Sequence, residues 1–135
     1  MATAHHFPVH VYYEDTDLAG IVYYANYFKY IERARTEWIR DLGVDQAAMK
    51  RDAGLVFAVR RVEADYLIPA RFDEDLIVET RLHEATGARV LLEQDVRRGD
   101  TRLFAALVTI VALRESGGPA RLPANIRQKL TQMCA

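Results

Sequence analysis

The sequence predicts an α+β fold, an antiparallel sheet packed on one long helix, and three observations carry that expectation. A two-residue hydrophobic period runs through residues 7–13. A helical period replaces it and lasts to residue 42, and the two-residue period then returns in four successive stretches of the second half. With half of its 135 residues hydrophobic, the chain can fill one sizeable core, so one domain over residues 1–135 is expected.

The first strand places Phe7, Val9, Val11 and Tyr13 on one face and Pro8, His10 and Tyr12 on the other. Glu14, Asp15, Thr16 and Asp17, with Gly20 behind them, break the period, because short polar side chains and glycine favour turns over a sheet ladder. Tyr27, Phe28, Ile31, Ala34, Trp38, Ile39 and Leu42 then recur at helical spacing, separated by charged residues. That helix is expected to start within residues 23–26, with Asn26 as a candidate cap, and to stop at Gly43. A shorter helix over residues 46–51 precedes Gly54.

In the next strand Val56, Ala58, Val62, Ala64, Tyr66 and Ile68 are expected on one face, opposite Arg61, Glu63 and Asp65, and Pro69 ends it. Strands over residues 76–84, 89–97 and 103–113 follow, turning at Thr86-Gly87 and Gly99-Asp100. The last is apolar enough to suit a central strand. A loop over residues 116–119 leads to a terminal helix over residues 123–132, with Pro123 near its first turn.

Lys and Arg total 18 against 19 for Asp and Glu, so no global field draws the chain to nucleic acid or anionic lipid, and local groups must meet any anionic ligand. Residues 1–6 lack the apolar region of a secretory signal, and residues 103–113 fall short of the roughly 20 that a membrane-spanning helix needs; a cytoplasmic protein is expected. Cys134 is the only cysteine, which rules out an internal disulfide, and reads as incidental. His10 and His83 sit on separate strands without metal-ligand spacing, and His5 and His6 fall in a tail expected to fray, so neither metal nor cofactor is expected.

The run over residues 13–27 carries the chemistry: Tyr13, Glu14, Asp15, Thr16 and Asp17, then Gly20, then Val22, Tyr23, Tyr24, Ala25, Asn26 and Tyr27. It resembles the signature of hotdog-fold thioesterases of the 4-hydroxybenzoyl-CoA thioesterase family. The long helix, the segment Tyr66-Leu67-Ile68-Pro69-Ala70 and the strand order share the resemblance, which covers most of the chain. Residues 13–17 and Glu32-Arg33-Ala34-Arg35 are most similar to the acyl-CoA thioesterase group associated with the Tol-Pal cell-envelope system. That group commonly has histidine after the Val-Tyr pair, where this chain has Tyr24, as in the hydroxybenzoyl-type branch.

The resemblance implies a hotdog fold, hydrolysis of an acyl-CoA to a carboxylic acid and CoA, and a homodimer or homotetramer with sites at subunit boundaries. Such hydrolysis needs a nucleophile or an activated water, together with donors for the oxygen that becomes negative. A carboxylate is ionised at neutral pH, so Asp17 can serve as nucleophile or general base. Free N–H groups at the helix start suit the second task, and the Tyr24 amide is the donor that the resemblance singles out. Gly20 lets the loop approach closely.

Asp15 reads as a turn former and Glu14 as solvated. Tyr23, Tyr24 and Tyr27 line an acyl pocket or belong to the core, Asn26 is a cap or a substrate contact, and Trp38 is packing. Arg89 and Arg121 resemble basic positions that family members direct at the nucleotide. Acyl carrier protein is an alternative acyl donor. A hydratase on the same fold is disfavoured, since no histidine occurs between Asp17 and Leu82. A non-catalytic acyl-binding adaptor of an envelope or lipid-synthesis complex is disfavoured by the intact Asp17 and Gly20.

Overall fold

A computed structural model describes residues 4–134, and of Cys134 it describes the backbone only, so the cysteine side chain and residues 1–3 lie outside the described part. The first alternating stretch forms β1 (His5–His10), which pairs antiparallel with residues 75–80, from His5↔Thr80 to His10↔Asp75. His5 and His6 are therefore strand residues, contrary to the fraying expected of them. Cross-strand pairing and a 2.8 Å contact from His5 Nε2 to Asp41 Oδ2 hold that end. The strand also stops earlier than its hydrophobic period. Tyr12 N–H donates to Asp15 Oδ2 at 2.9 Å, and a 3-10 turn over Tyr13–Asp15 leaves Tyr13 exposed rather than on the inner face.

Helix α1 (Asn26–Asp41) buries Tyr27, Ile31, Ala34, Trp38 and Ile39 as their spacing predicts, but Tyr30 joins that face and Phe28, expected on it, is exposed, while Leu42 lies just past the helix and is half-buried. Its C-terminus is closed by Gly43 at φ +83°, whose N–H donates to Arg40 O at 2.9 Å. Helix α2 (Gln46–Ala53) starts on Asp45, which accepts Ala48 N–H at 3.0 Å, and ends at Gly54.

Strands β2 (Leu55–Tyr66), β3 (Asp75–Ala85), β4 (Arg89–Arg98) and β5 (Thr101–Arg114) pair antiparallel in the order β1-β3-β4-β5-β2. The short β6 (Pro119–Ala120) adds to β5, and α3 (Ala124–Cys134) follows. The apolar β5 is an interior strand, but β4 occupies the middle. A bulge between Val59 and Arg61 corrects the face expected for β2. Leu55, Phe57 and Val59 lie opposite Arg114, Ala112 and Ile110 before it, and Val62, Ala64 and Tyr66 lie opposite Val108, Ala106 and Phe104 after it. The extra residue flips the parity, so Val56 and Ala58 turn away from the face that Val62 and Ala64 share.

One face of the sheet packs on α1 through Leu76, Val78, Leu92, Val96, Phe104 and Val108, and α3 adds Ile126 and Leu130 to that core. Within it, Gln94 joins helix to sheet: its Nε2 donates to Ile31 O and Thr80 Oγ1, while its Oε1 accepts Arg35 Nη1 at 2.9 Å. Burial holds the Arg35 guanidinium below its ordinary pKa. The outer edge of β2 pairs with no strand among the described residues.

Candidate active site

The polar run after β1 folds into a small hairpin. Asp17 N–H donates to Ile21 O at 3.0 Å, Gly20 N–H donates to Asp17 O at 2.9 Å, and Thr16 bridges Val22. Gly20 takes φ +77°, which lets the chain reverse within this turn, and Leu18 stands fully exposed at its tip. Asp17 Oδ1 accepts Ala19 N–H at 2.9 Å, leaving Oδ2 without a hydrogen-bond partner among the described residues. The turn is fastened to the wall beside it, because Val22 N–H donates to Ala70 O at 2.8 Å and Ile21 bridges Arg71.

Asp15 ties the turn to the start of α1. Its carbonyl accepts both Tyr23 N–H and Asn26 Nδ2 at 2.9 Å, so Asn26 does not cap the helix. The residue before the helix is Ala25, which supplies no side-chain cap. Tyr23 O accepts Asn26 N–H at 2.8 Å, and Tyr24 O accepts Tyr66 Oη at 3.0 Å. Both flanking peptide planes are thereby fixed. The N–H groups of Tyr24 and Ala25 have no acceptor among the described residues.

These pieces converge on an open cleft of about 350 Å³, lined by Asp17, Ile21, Val22, Tyr24 and Tyr27 on one side and by Tyr66, Leu67, Ile68 and Pro69 on the other. Tyr27 contributes from the core. It is 3% exposed, its ring stacks on Phe104 at 4.8 Å, and its Oη accepts Ala70 N–H at 3.0 Å. Burial raises its pKa, and the Ala70 N–H works against that rise. Tyr23 stands at the mouth, 4.8 Å from the Tyr24 ring and outside the lining, and its hydroxyl is held above the usual phenol range first by Tyr24.

The structure thus gathers Asp17, Tyr24 and Tyr27 on one cleft, while Gly20, in the turn that carries Asp17, and Tyr23 and Asn26, beside Tyr24, lie outside its lining. It places Arg89 and Arg121 elsewhere. Phe104, opposite Tyr66, and Val111, opposite Arg89, are seven residues apart along β5, on the order of 23 Å. Arg121 lies over the turn at that far end, where a Cβ on Gly87 would collide with its guanidinium. Within one chain neither arginine shares the cleft. Tyr66, Leu67, Ile68 and Pro69 also line the cleft, a role the residue pattern alone does not assign them; the aromatic that ends β2 and the proline three residues on are the available signal. Among the described residues, no group of three or more His, Cys, Asp or Glu is placed to hold a metal. An anionic oxygen and unengaged main-chain donors on one apolar cleft are the parts that acyl-transfer chemistry uses.

Residues 19–105 match the family described as the thioesterase superfamily. The chain belongs to it. The acyl-CoA thioesterase YbgC of Haemophilus influenzae is 42% identical over 107 residues, 79% of each chain. The acyl-CoA thioester hydrolase YbgC of Escherichia coli is 35% identical over 132 residues, 96% of this chain and 98% of that one. These relatives are of the Tol-Pal-associated group that the signature resembles. The crystal structure of a probable thioesterase from Bartonella henselae, 37% identical, superposes with a TM-score of 0.84 over 90% of this chain and all of the other. As a superfamily member the chain has the hotdog fold, an antiparallel sheet sharing one core with α1. No helix among the described residues is long and apolar enough to cross a membrane.

Proposed function

We propose that this thioesterase hydrolyses acyl-CoA, with Asp17 as nucleophile or general base and the Tyr24 amide receiving the developing oxyanion. The observation that carries the reading is the pairing of Asp17 with an unengaged Tyr24 N–H on one apolar cleft. In such a pose the acyl chain lies against Tyr27, Tyr66 and Leu67, and the thioester carbonyl sits under the start of α1, where the helix dipole favours negative charge. Asp17 then attacks the carbonyl carbon, or takes a proton from the water that does, and collapse of the tetrahedral intermediate expels CoA thiolate. After direct attack, water hydrolyses the acyl–Asp17 anhydride, which releases the carboxylic acid and restores Asp17, whereas the water route gives the acid at once. The names of the curated relatives support CoA as the thiol carrier.

A single hotdog domain over residues 1–135 accounts for this arrangement, and a cytoplasmic location goes with an acyl-CoA substrate. The open edge of β2, together with exposed Tyr66, Leu67 and Ile68 beside it, supports a homodimer or homotetramer. Antiparallel pairing of two β2 edges sets the Tyr66 end of one copy beside the Leu55 end of the other. That is the route by which the partner's basic end approaches the cleft.

The test is a panel of short-chain, long-chain and aromatic acyl-CoAs, and acyl carrier protein thioesters, run on wild type and Asp17→Asn. Turnover of an acyl-CoA that Asp17→Asn removes supports the proposal. Equal turnover by both proteins excludes Asp17, and no turnover of any thioester by the wild type rejects the activity.

A further inference from the structure

Outside the cleft, one cluster of titratable side chains is connected to it through backbone. His10 ends β1, and carboxylates engage both of its ring nitrogens: Nδ1 lies 2.7 Å from Asp75 Oδ1, and Nε2 lies 2.9 Å from Asp73 Oδ1. A neutral imidazole carries one N–H and an ionised carboxylate only accepts, so the imidazolium alone satisfies both contacts. The hydrogen bond to Asp75 is the largest cause that lifts the ring above the ordinary imidazole range; partial desolvation opposes it and Asp73 adds to it.

The neighbours leave those two carboxylates as the charges that face the ring. Tyr12 packs edge-on at 5.1 Å. Glu74, between the two aspartates, accepts Arg98 Nη1 at 2.8 Å and Arg71 N–H at 2.7 Å. β1 is the end strand of the sheet, so among the described residues no further strand lies beyond His10. Asp73 has φ +69°, the left-handed region that aspartate tolerates better than most non-glycine residues, and backbone hydrogen bonds on either side of its peptide support it there.

That support reaches the cleft within a few residues. Asp73 N–H donates to Val11 O and Val11 N–H to Glu74 O, both at 2.9 Å. At the other end of the same span Ala70 O holds Val22 N–H, Arg71 bridges Ile21, and Ala70 N–H meets Tyr27 Oη. Residues 70–75 are therefore one short wall, clasped by His10 at one end and carrying the Asp17 hairpin at the other.

We propose that His10 is a positioning residue for the candidate site: by bridging Asp73 and Asp75 it sets residues 70–75, and through them the hairpin that carries Asp17. The proposal rests on Asp17 being the reacting carboxylate. Below its midpoint the ring holds both aspartates. As pH rises through that midpoint one nitrogen loses its proton and turns a lone pair on a carboxylate, so one arm of the clasp becomes repulsive. The clasp is complete on the acid side and is lost on the alkaline side.

The experiment follows the His10 ring and the Gly20 and Val22 amides by NMR across pH, beside acyl-CoA turnover, in wild type, His10→Gln and His10→Arg. In the wild type the two amides shift with the midpoint of the ring, and kcat/KM falls roughly two- to five-fold through it, the scale of one exposed charged contact. His10→Arg, a cation with several donors at every pH, keeps the acid-side rate and loses the alkaline fall. His10→Gln shows the lowered rate throughout. Amides that ignore the ring, or an alkaline fall that survives in His10→Gln, overturn the proposal. Absence of turnover in all three proteins would remove the chemistry assigned to Asp17, while the amide midpoints, which need no substrate, would still decide the clasp.

Discussion

The two helix starts of this protein are built differently. α2 begins on Asp45, in extended conformation, with its carboxylate on Ala48 N–H at 3.0 Å. α1 begins after Ala25, already helical and without a side-chain cap, and the Tyr24 and Ala25 N–H groups find no acceptor among the described residues. An uncapped start is a loss of stability that the longer helix tolerates, because its buried stripe is anchored elsewhere. The two ends of α1 repeat the contrast. At its C-terminus Gly43 closes the helix, and Trp38, Ile39, Phe57, Ile126 and Leu130 surround a void of about 20 Å³, while an open and more polar groove of about 510 Å³ runs outside it over Thr36, Arg40 and Gly43. At its N-terminus the cleft is about 350 Å³ and open. One end is capped and leans on the core through Trp38 and Ile39, and the other leaves two main-chain N–H groups without an acceptor among the described residues beside a mostly apolar cleft.

That contrast predicts which substitutions separate activity from stability. Asp17→Asn, which keeps an acceptor for Ala19 N–H, is expected to lower acyl-CoA turnover by roughly 10²- to 10⁴-fold with little change in thermal midpoint. Steady-state rates beside a melting curve check both halves, and a parallel loss of folding would erase the distinction between the two ends. Trp38→Ala belongs to the capped end and should cost about 3–5 kcal/mol of unfolding free energy, read from urea titration, while the folded fraction retains its kcat. A kcat that collapsed without unfolding would mean that the capped end serves the reaction.

Smaller effects sharpen the picture. Gln94→Leu leaves the half-buried Arg35 guanidinium without the acceptor it now has and should cost about 1–3 kcal/mol, which chemical denaturation would detect. Rescue by Arg35→Met in the same background is expected, since that removes the stranded charge. Asp45→Ala should cost about 1 kcal/mol through the lost cap on α2, with turnover unchanged. A comparable loss of activity there would show that the two helix starts are not independent.

Much of this was legible in the residues. The spacing of Tyr27, Ile31, Ala34 and Trp38 specifies the buried face of α1 because a helix returns every 3.6 residues whatever surrounds it. Gly43 and Gly54 mark helix ends through a left-handed conformation that is local to one residue. Asp17 and Gly20 stand out because a polar turn interrupting two apolar periods is itself a local event. Asn26 misled for the opposite reason: whether it caps a helix or reaches back to Asp15 depends on where another turn has placed that carbonyl. The parity of β2 misled as well, since the bulge near Arg60 is forced by pairing with β5 and leaves no mark in the alternation before it.

The α+β class, the long amphipathic helix, the turn at Asp17 and the thioesterase signature can all be read without coordinates, because each depends on residues close together in the chain. Only the tertiary structure decided that Tyr66, Leu67, Ile68 and Pro69 complete the cleft, that Arg89 and Arg121 lie at the far end of the same chain, and that His10 is clasped between Asp73 and Asp75. Each of those depends on strand register between segments dozens of residues apart, and register is set by how the whole sheet packs on α1, a property that no short stretch of residues contains.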